Sequence, residues 1–127
     1  MTRTPDTAVA PSTVRAVQAA AVLTLLVLGW QFVTAGRISV GEDALGGHAA
    51  GAIALHVTSA LLLLATALHG RRTRVWWPAA LAGVVLVLGF VQAALGSSGS
   101  IEAHVPLALL LVVGTAWLAA WAFRSPA

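Results

Sequence analysis

Four side chains are candidates for chemistry because they lie within otherwise apolar stretches of the sequence. They are two imidazoles and two carboxamides, at His48, His104, Gln31 and Gln92. A neutral imidazole can coordinate a metal ion, and a carboxamide can both donate and accept hydrogen bonds. The sequence contains no Cys and no Lys, which excludes thiolate ligands and Schiff bases. Imidazole is therefore the strongest potential metal ligand in this chain.

The composition identifies the surroundings in which these side chains must work. The 127 residues are 59% hydrophobic and 9% charged, with a mean hydropathy of +0.92. Soluble domains carry about 25% charged residues, so this chain has too few charges to cover a surface that faces water. These values predict an integral membrane protein in contact with the lipid bilayer. They exclude a soluble enzyme, a nucleic-acid binder and a disordered chain.

Four apolar runs predict four transmembrane helices, at about residues 16–35, 44–69, 75–95 and 103–123. Each run is close to the roughly 20 residues that a helix needs to cross the hydrocarbon core. Backbone groups in lipid must be hydrogen-bonded internally, which favours helices. We therefore expect an all-α, four-helix transmembrane bundle that forms a single domain over residues 14–124. Residues 1–13 are polar and predict a disordered cytoplasmic tail.

The arginines predict the orientation of the bundle. An even number of spans brings six of them to one side, and Arg37 alone lies on the other side. The six are Arg3, Arg15, Arg71, Arg72, Arg74 and Arg124. By the positive-inside rule, both termini are expected in the cytoplasm. The protein is then a multi-pass protein of the bacterial plasma membrane.

With this orientation, each span contributes one polar side chain to a layer near the outer face. At 1.5 Å per residue, Gln31, His48 and Gln92 lie about 5 to 6 Å below the outer boundary. His104 lies in or near the first turn of the fourth span. His56 is about 12 Å deeper than His48, close to the middle of the bilayer.

The first interpretation of this layer is a cofactor site. His48 and His104 are at matched depth, and they would be the axial ligands of one b-type haem between the second and fourth spans. Gly47 and Gly51 leave space for a flat macrocycle, and Arg37 is available to pair with a propionate. Gln31 and Gln92 complete the predicted cofactor-binding set, and His56 is the alternative ligand. Such a protein would act in electron transfer or haem handling, with a redox partner in the membrane.

The second interpretation is purely structural. Gln and His near helix ends often only form hydrogen bonds between helices, and two glycines separated by three residues are typical of close helix packing. The protein would then be a non-catalytic accessory subunit or scaffold with a membrane protein partner. No set of catalytic residues is apparent, so the sequence favours a role other than catalysis.

Three stretches of the sequence also resemble a family of small four-helix membrane proteins from actinobacteria. They are residues 45–48 with Gly51, residues 91–96 and residues 103–108. The resemblance implies a four-helix bundle with a single haem. A fainter similarity to one half of haem A synthase implies that His48 and His104 are the ligands. Leu45 and Ala49 depart from that pattern, so the similarity implies a haem-binding scaffold without the synthase reaction.

Overall fold

Four α-helices make up almost all of the structure, which is a computed structural model that describes residues 13–125. The helices are α1 (Thr13–Ser39), α2 (Leu45–Thr73), α3 (Trp77–Ser97) and α4 (Ile101–Arg124). No strand occurs within residues 13–125, so the predicted all-α four-helix architecture is confirmed there. The predicted tail, residues 1–13, lies outside the described residues except for Thr13, which begins α1.

All four helices are long and apolar enough to cross a membrane. They contain 27, 29, 21 and 24 residues in chain order. α1 and α4 extend beyond the predicted spans at both ends, and α2 and α3 begin slightly later and also end later than predicted. The predicted bounds followed hydropathy, whereas helical hydrogen bonding continues into the polar flanks of an apolar run.

The helices form a square in which each packs against two neighbours. α1 contacts α2 and α4, and α3 contacts the same two helices, so α2 and α4 are diagonally opposite. At one end, the Thr13 hydroxyl lies 3.1 Å from Nδ1 of His69, and the Gln18 amide donates to the Ala122 carbonyl at 3.0 Å. We call this the terminal end. The opposite end contains the first turns of α2 and α4, and we call it the imidazole end.

Small and medium-sized apolar side chains fill the centre of the bundle. Leu62 and Leu118 are fully buried toward the terminal end, and Leu111 is buried closer to the imidazole end. The outer faces are equally apolar, since Leu26 is 65% exposed and Leu45 is 69% exposed. In the apolar stretch of each helix, only 28 to 33% of the residues are buried inside the bundle. An exterior of this kind fits contact with lipid.

Aromatic side chains pack together at the terminal end. The Trp121 ring lies edge-on to His69 and to Trp77, with ring centroids 5.4 and 5.2 Å apart. This cluster joins the last turns of α2 and α4 to the first residue of α3. Trp30 lies toward the imidazole end of α1, where its indole N–H donates to the Gly47 carbonyl at 3.1 Å. Tryptophans therefore occur toward both ends of the bundle.

Candidate functional site

The imidazole end brings together the four polar side chains that the sequence identified, one from each helix. His48 is the fourth residue of α2 and His104 is the fourth residue of α4. Both helices begin at this end, so the two imidazoles have equivalent positions along the bundle. Gln31 and Gln92 come from α1 and α3, and both are more than 90% buried. The structure therefore forms a layer that all four helices share.

The two imidazoles meet across the diagonal of the bundle. The ring centroids of His48 and His104 are 6.3 Å apart, and the ring planes are inclined by 52°. Both side chains are partly buried. Because α2 and α4 do not pack directly against each other, the two side chains bridge the space between them.

His104 is held against α3 by two contacts with a single residue. Its Nδ1 lies 2.8 Å from the backbone carbonyl oxygen of Gln92, and its Nε2 lies 3.4 Å from the side-chain nitrogen of Gln92. A carbonyl oxygen only accepts, so Nδ1 carries the proton and Nε2 presents a lone pair to the carboxamide. Gly96 makes this approach feasible, because a Cβ there would lie only 2.6 Å from Nδ1 of His104.

His48 is held against α1 by a hydroxyl group. Its Nδ1 lies 2.9 Å from Oγ1 of Thr34, a side chain that is almost completely buried. Within residues 13–125, Nε2 of His48 makes no hydrogen bond. Each imidazole is thus anchored through Nδ1 to the helix that precedes its own in the chain, which leaves Nε2 as the nitrogen that could bind a metal.

Gln31 fixes the backbone of α2 beside His48. In the orientation that gives both carboxamide atoms of Gln31 a hydrogen bond, its Nε2 donates to the His48 carbonyl at 3.0 Å and its Oε1 accepts from the Ala52 amide at 3.3 Å. Gly51 permits this contact, because a Cβ there would overlap the Gln31 carboxamide and lie 2.8 Å from Cδ1 of Trp30. A Cβ at Gly47 would likewise contact Trp30, at 3.5 Å.

Gly47 and Gly51 therefore lie against side chains of α1. The sequence had assigned them either to a flat macrocycle or to close helix packing, and the second arrangement is the one observed. Arg37 was assigned to a propionate. Its Nε donates at 2.7 Å to Glu42, in an ion pair between the last turn of α1 and the loop that follows, and both side chains are more than half exposed.

His56, the alternative ligand, lies away from the other two imidazoles. Its ring stacks on Phe90, with centroids 4.0 Å apart and planes inclined by 29°. Its Nε2 is buried and has no hydrogen-bond partner among the described residues. The neighbour observed for this imidazole is therefore aromatic.

A metal ion held by two imidazoles fixes the separation of the two rings. Bonds between a metal and an imidazole nitrogen are about 2 Å long, so rings bound from opposite faces have centroids roughly 6 Å apart. The observed 6.3 Å fits this separation. The Gln92 carboxamide occupies the coordinating side of His104 and would have to turn away. Within residues 13–125, no cluster of three or more His, Cys, Asp or Glu is present, so a ligand set of that kind is not formed there.

Two residues of this site were not recognised as such from the sequence. Thr34 binds His48, and Gly96 accommodates His104. A signal for Thr34 did exist, because it follows Gln31 by three residues and so lies on the same face of α1. Gly96 belongs to one of the stretches that carry the family resemblance, but its role depends on how closely α4 approaches α3.

Comparison of the chain with protein families, with curated proteins and with solved structures finds no match. The resemblance to the actinobacterial family and to one half of haem A synthase therefore stays a prediction.

Proposed function

We propose that this protein is a four-span membrane protein that binds one b-type haem between His48 and His104. The observation that carries the proposal is the meeting of these two imidazoles at 6.3 Å, from diagonal helices and at equivalent positions. Each ring is anchored through Nδ1 by a neighbouring helix, and ligating histidines are held in the same way through their second nitrogen.

The charge distribution supports an orientation for the proposed membrane protein. Five arginines lie at or next to the terminal end: Arg15, Arg71, Arg72, Arg74 and Arg124. At the imidazole end, Arg37 is paired with Glu42. By the positive-inside rule, the terminal end faces the cytoplasm of a bacterial cell and the haem lies near the outer face of the plasma membrane.

In this proposal the chain supplies the two ligands and the groups that hold them in place. His48 and His104 would hold the iron through Nε2, and Gln31 fixes the backbone that carries His48. A bound haem with two histidine ligands supplies one-electron chemistry, and its potential depends on the hydrogen bonds to those ligands. The protein would then act in electron transfer or haem handling with a redox partner in the membrane.

A second function is favoured by a different observation. The layer is already well hydrogen-bonded, because Gln92 caps Nε2 of His104 and Gln31 bonds to the backbone of α2. Such bonds between helices stabilise membrane proteins by about 0.6 kcal/mol each. In this alternative the layer fixes helix register, and the protein is an accessory subunit or scaffold without a cofactor.

A haem stoichiometry measurement separates the two functions. We expect protein purified in detergent from cells supplied with haem to contain one haem per chain. His48→Ala and His104→Ala should each lose it while keeping their helical circular dichroism. His56→Ala is the matched control, since it removes an imidazole from the same helix as His48, and it should keep its haem. A folded wild-type protein without haem would refute the proposal, as would loss of haem in His56→Ala alone.

A further inference from the structure

The contacts of Thr34 go beyond those of an ordinary buried threonine. Its Oγ1 lies 3.0 Å from the Trp30 carbonyl oxygen, 3.0 Å from the Gln31 carbonyl oxygen and 2.9 Å from Nδ1 of His48. A hydroxyl group has one proton to donate. Threonines in helices commonly donate that proton to the carbonyl three or four residues earlier. The oxygen then faces His48 as an acceptor.

We propose that Thr34 is a positioning residue that keeps the proton of His48 on Nδ1 and leaves the lone pair of Nε2 free to bind a metal. This inference rests on the proposed function, because it concerns the same site. If the Thr34 proton goes to a backbone carbonyl, the hydrogen bond to His48 requires an N–H at Nδ1. The neutral ring then has its lone pair on Nε2, the atom that would coordinate the iron of a bound haem.

The contact between His104 on α4 and Gln92 on α3 supports this assignment independently. At His104, the acceptor for Nδ1 is the Gln92 carbonyl oxygen, which cannot donate, so the proton there is also on Nδ1. Thr34 on α1 corresponds to this carbonyl on α3. Both anchors lie on the helix that precedes the histidine in the chain. Two neutral imidazoles in the same tautomer, with Nε2 unprotonated on both, form the donor pair that one metal between α2 and α4 needs.

The tautomer can be measured without haem, by 15N NMR of histidine-labelled protein in detergent micelles. The His48 signals are assigned as those that are missing from the spectrum of the His48→Gln variant. We expect a protonated Nδ1 and an unprotonated Nε2 in wild type and in Thr34→Ser, which keeps the hydroxyl. In Thr34→Val, we expect the proton to redistribute toward Nε2. An unchanged tautomer in Thr34→Val would overturn the proposal.

The same variants are then compared in haem binding. Loss of a hydrogen bond behind a metal ligand typically weakens metal binding by about 10- to 100-fold. We expect this loss in Thr34→Val, together with a more positive midpoint potential because the imidazole becomes less basic. Thr34→Ser should bind like wild type.

Thr66→Val is the matched control, because Thr66 is fully buried in α2 and donates to the Leu62 carbonyl at 2.8 Å, near the terminal end. Equal losses of affinity in Thr34→Val and Thr66→Val would overturn the positioning role. If the folded wild type binds no haem, the proposed function fails. In that case, the NMR comparison still shows whether Thr34 sets the tautomer of His48.

Discussion

Replacing Gly51 by Ala should loosen the contact between α1 and α2 that supports His48. A Cβ at this position would overlap the Gln31 carboxamide and approach Cδ1 of Trp30 to 2.8 Å. Gln31 can move, but it then loses its bonds to the His48 carbonyl and the Ala52 amide. The Trp30 ring is less free to move, because its indole N–H is bonded to the Gly47 carbonyl.

Gly46→Ala is the matched control for this change. A Cβ at Gly46 meets nothing within 4 Å, and the residue lies in the same helix. The helix propensity gained with Ala is about 1 kcal/mol in a helix interior and smaller at Gly46, the second residue of α2, so any shortfall of Gly51→Ala relative to Gly46→Ala is a lower limit on the packing cost. Overpacking costs about 1 to 3 kcal/mol. The lost hydrogen bonds of Gln31, at about 0.6 kcal/mol each, lie within the same range.

The assay is reversible unfolding in mixed micelles of dodecyl maltoside and dodecyl sulfate, followed by far-ultraviolet circular dichroism. We expect Gly51→Ala to have a free energy of unfolding about 1 to 3 kcal/mol below that of Gly46→Ala. Gly46→Ala itself should be at least as stable as wild type. Equal stability of the two variants would refute the account of how α1 packs on the glycines of α2.

Three further predictions follow from the same contacts. Gln92→Ala removes the carboxamide that caps Nε2 of His104 but keeps the backbone carbonyl. Haem titration should therefore show about threefold tighter binding, which corresponds to about 0.6 kcal/mol. Weaker binding would contradict this prediction. Thr115→Val removes a buried hydroxyl that has no partner among residues 13–125, and micelle unfolding should show a gain of up to about 1 kcal/mol. A loss of stability would show that the hydroxyl is bonded. Arg37→Ala breaks an exposed ion pair with Glu42, so unfolding should change by less than about 1 kcal/mol. A larger loss would assign Arg37 a further contact.

Hydropathy was sufficient to predict the four helices of this protein. Each apolar run is long enough to cross a bilayer, and a helix satisfies the backbone without outside partners. The ends were harder to predict, because hydrogen bonding carries α1 on to Ser39 and α2 on to Thr73, into segments that are no longer apolar. Counting residues along each helix also predicted that the two imidazoles and the two carboxamides lie at one level along the bundle axis.

The lateral contacts within that level were not predictable from the sequence. Depth follows from counting residues, whereas the partner of a side chain depends on how neighbouring helices rotate and approach each other. Gly51 receives Gln31 because α1 lies close to it, and the anchor of His104 is a backbone carbonyl, which every residue possesses. The sequence therefore identified His48 and His104 without revealing what holds either ring.

The most direct test of the proposed haem site is the reduced-minus-oxidised visible spectrum of the purified wild-type protein, recorded with and without carbon monoxide. If His48 and His104 both ligate the iron, the spectrum is that of a low-spin b-type haem, and carbon monoxide leaves it unchanged because no axial position is open. A folded, helical and colourless protein would contradict the account, and so would a spectrum that shifts with carbon monoxide.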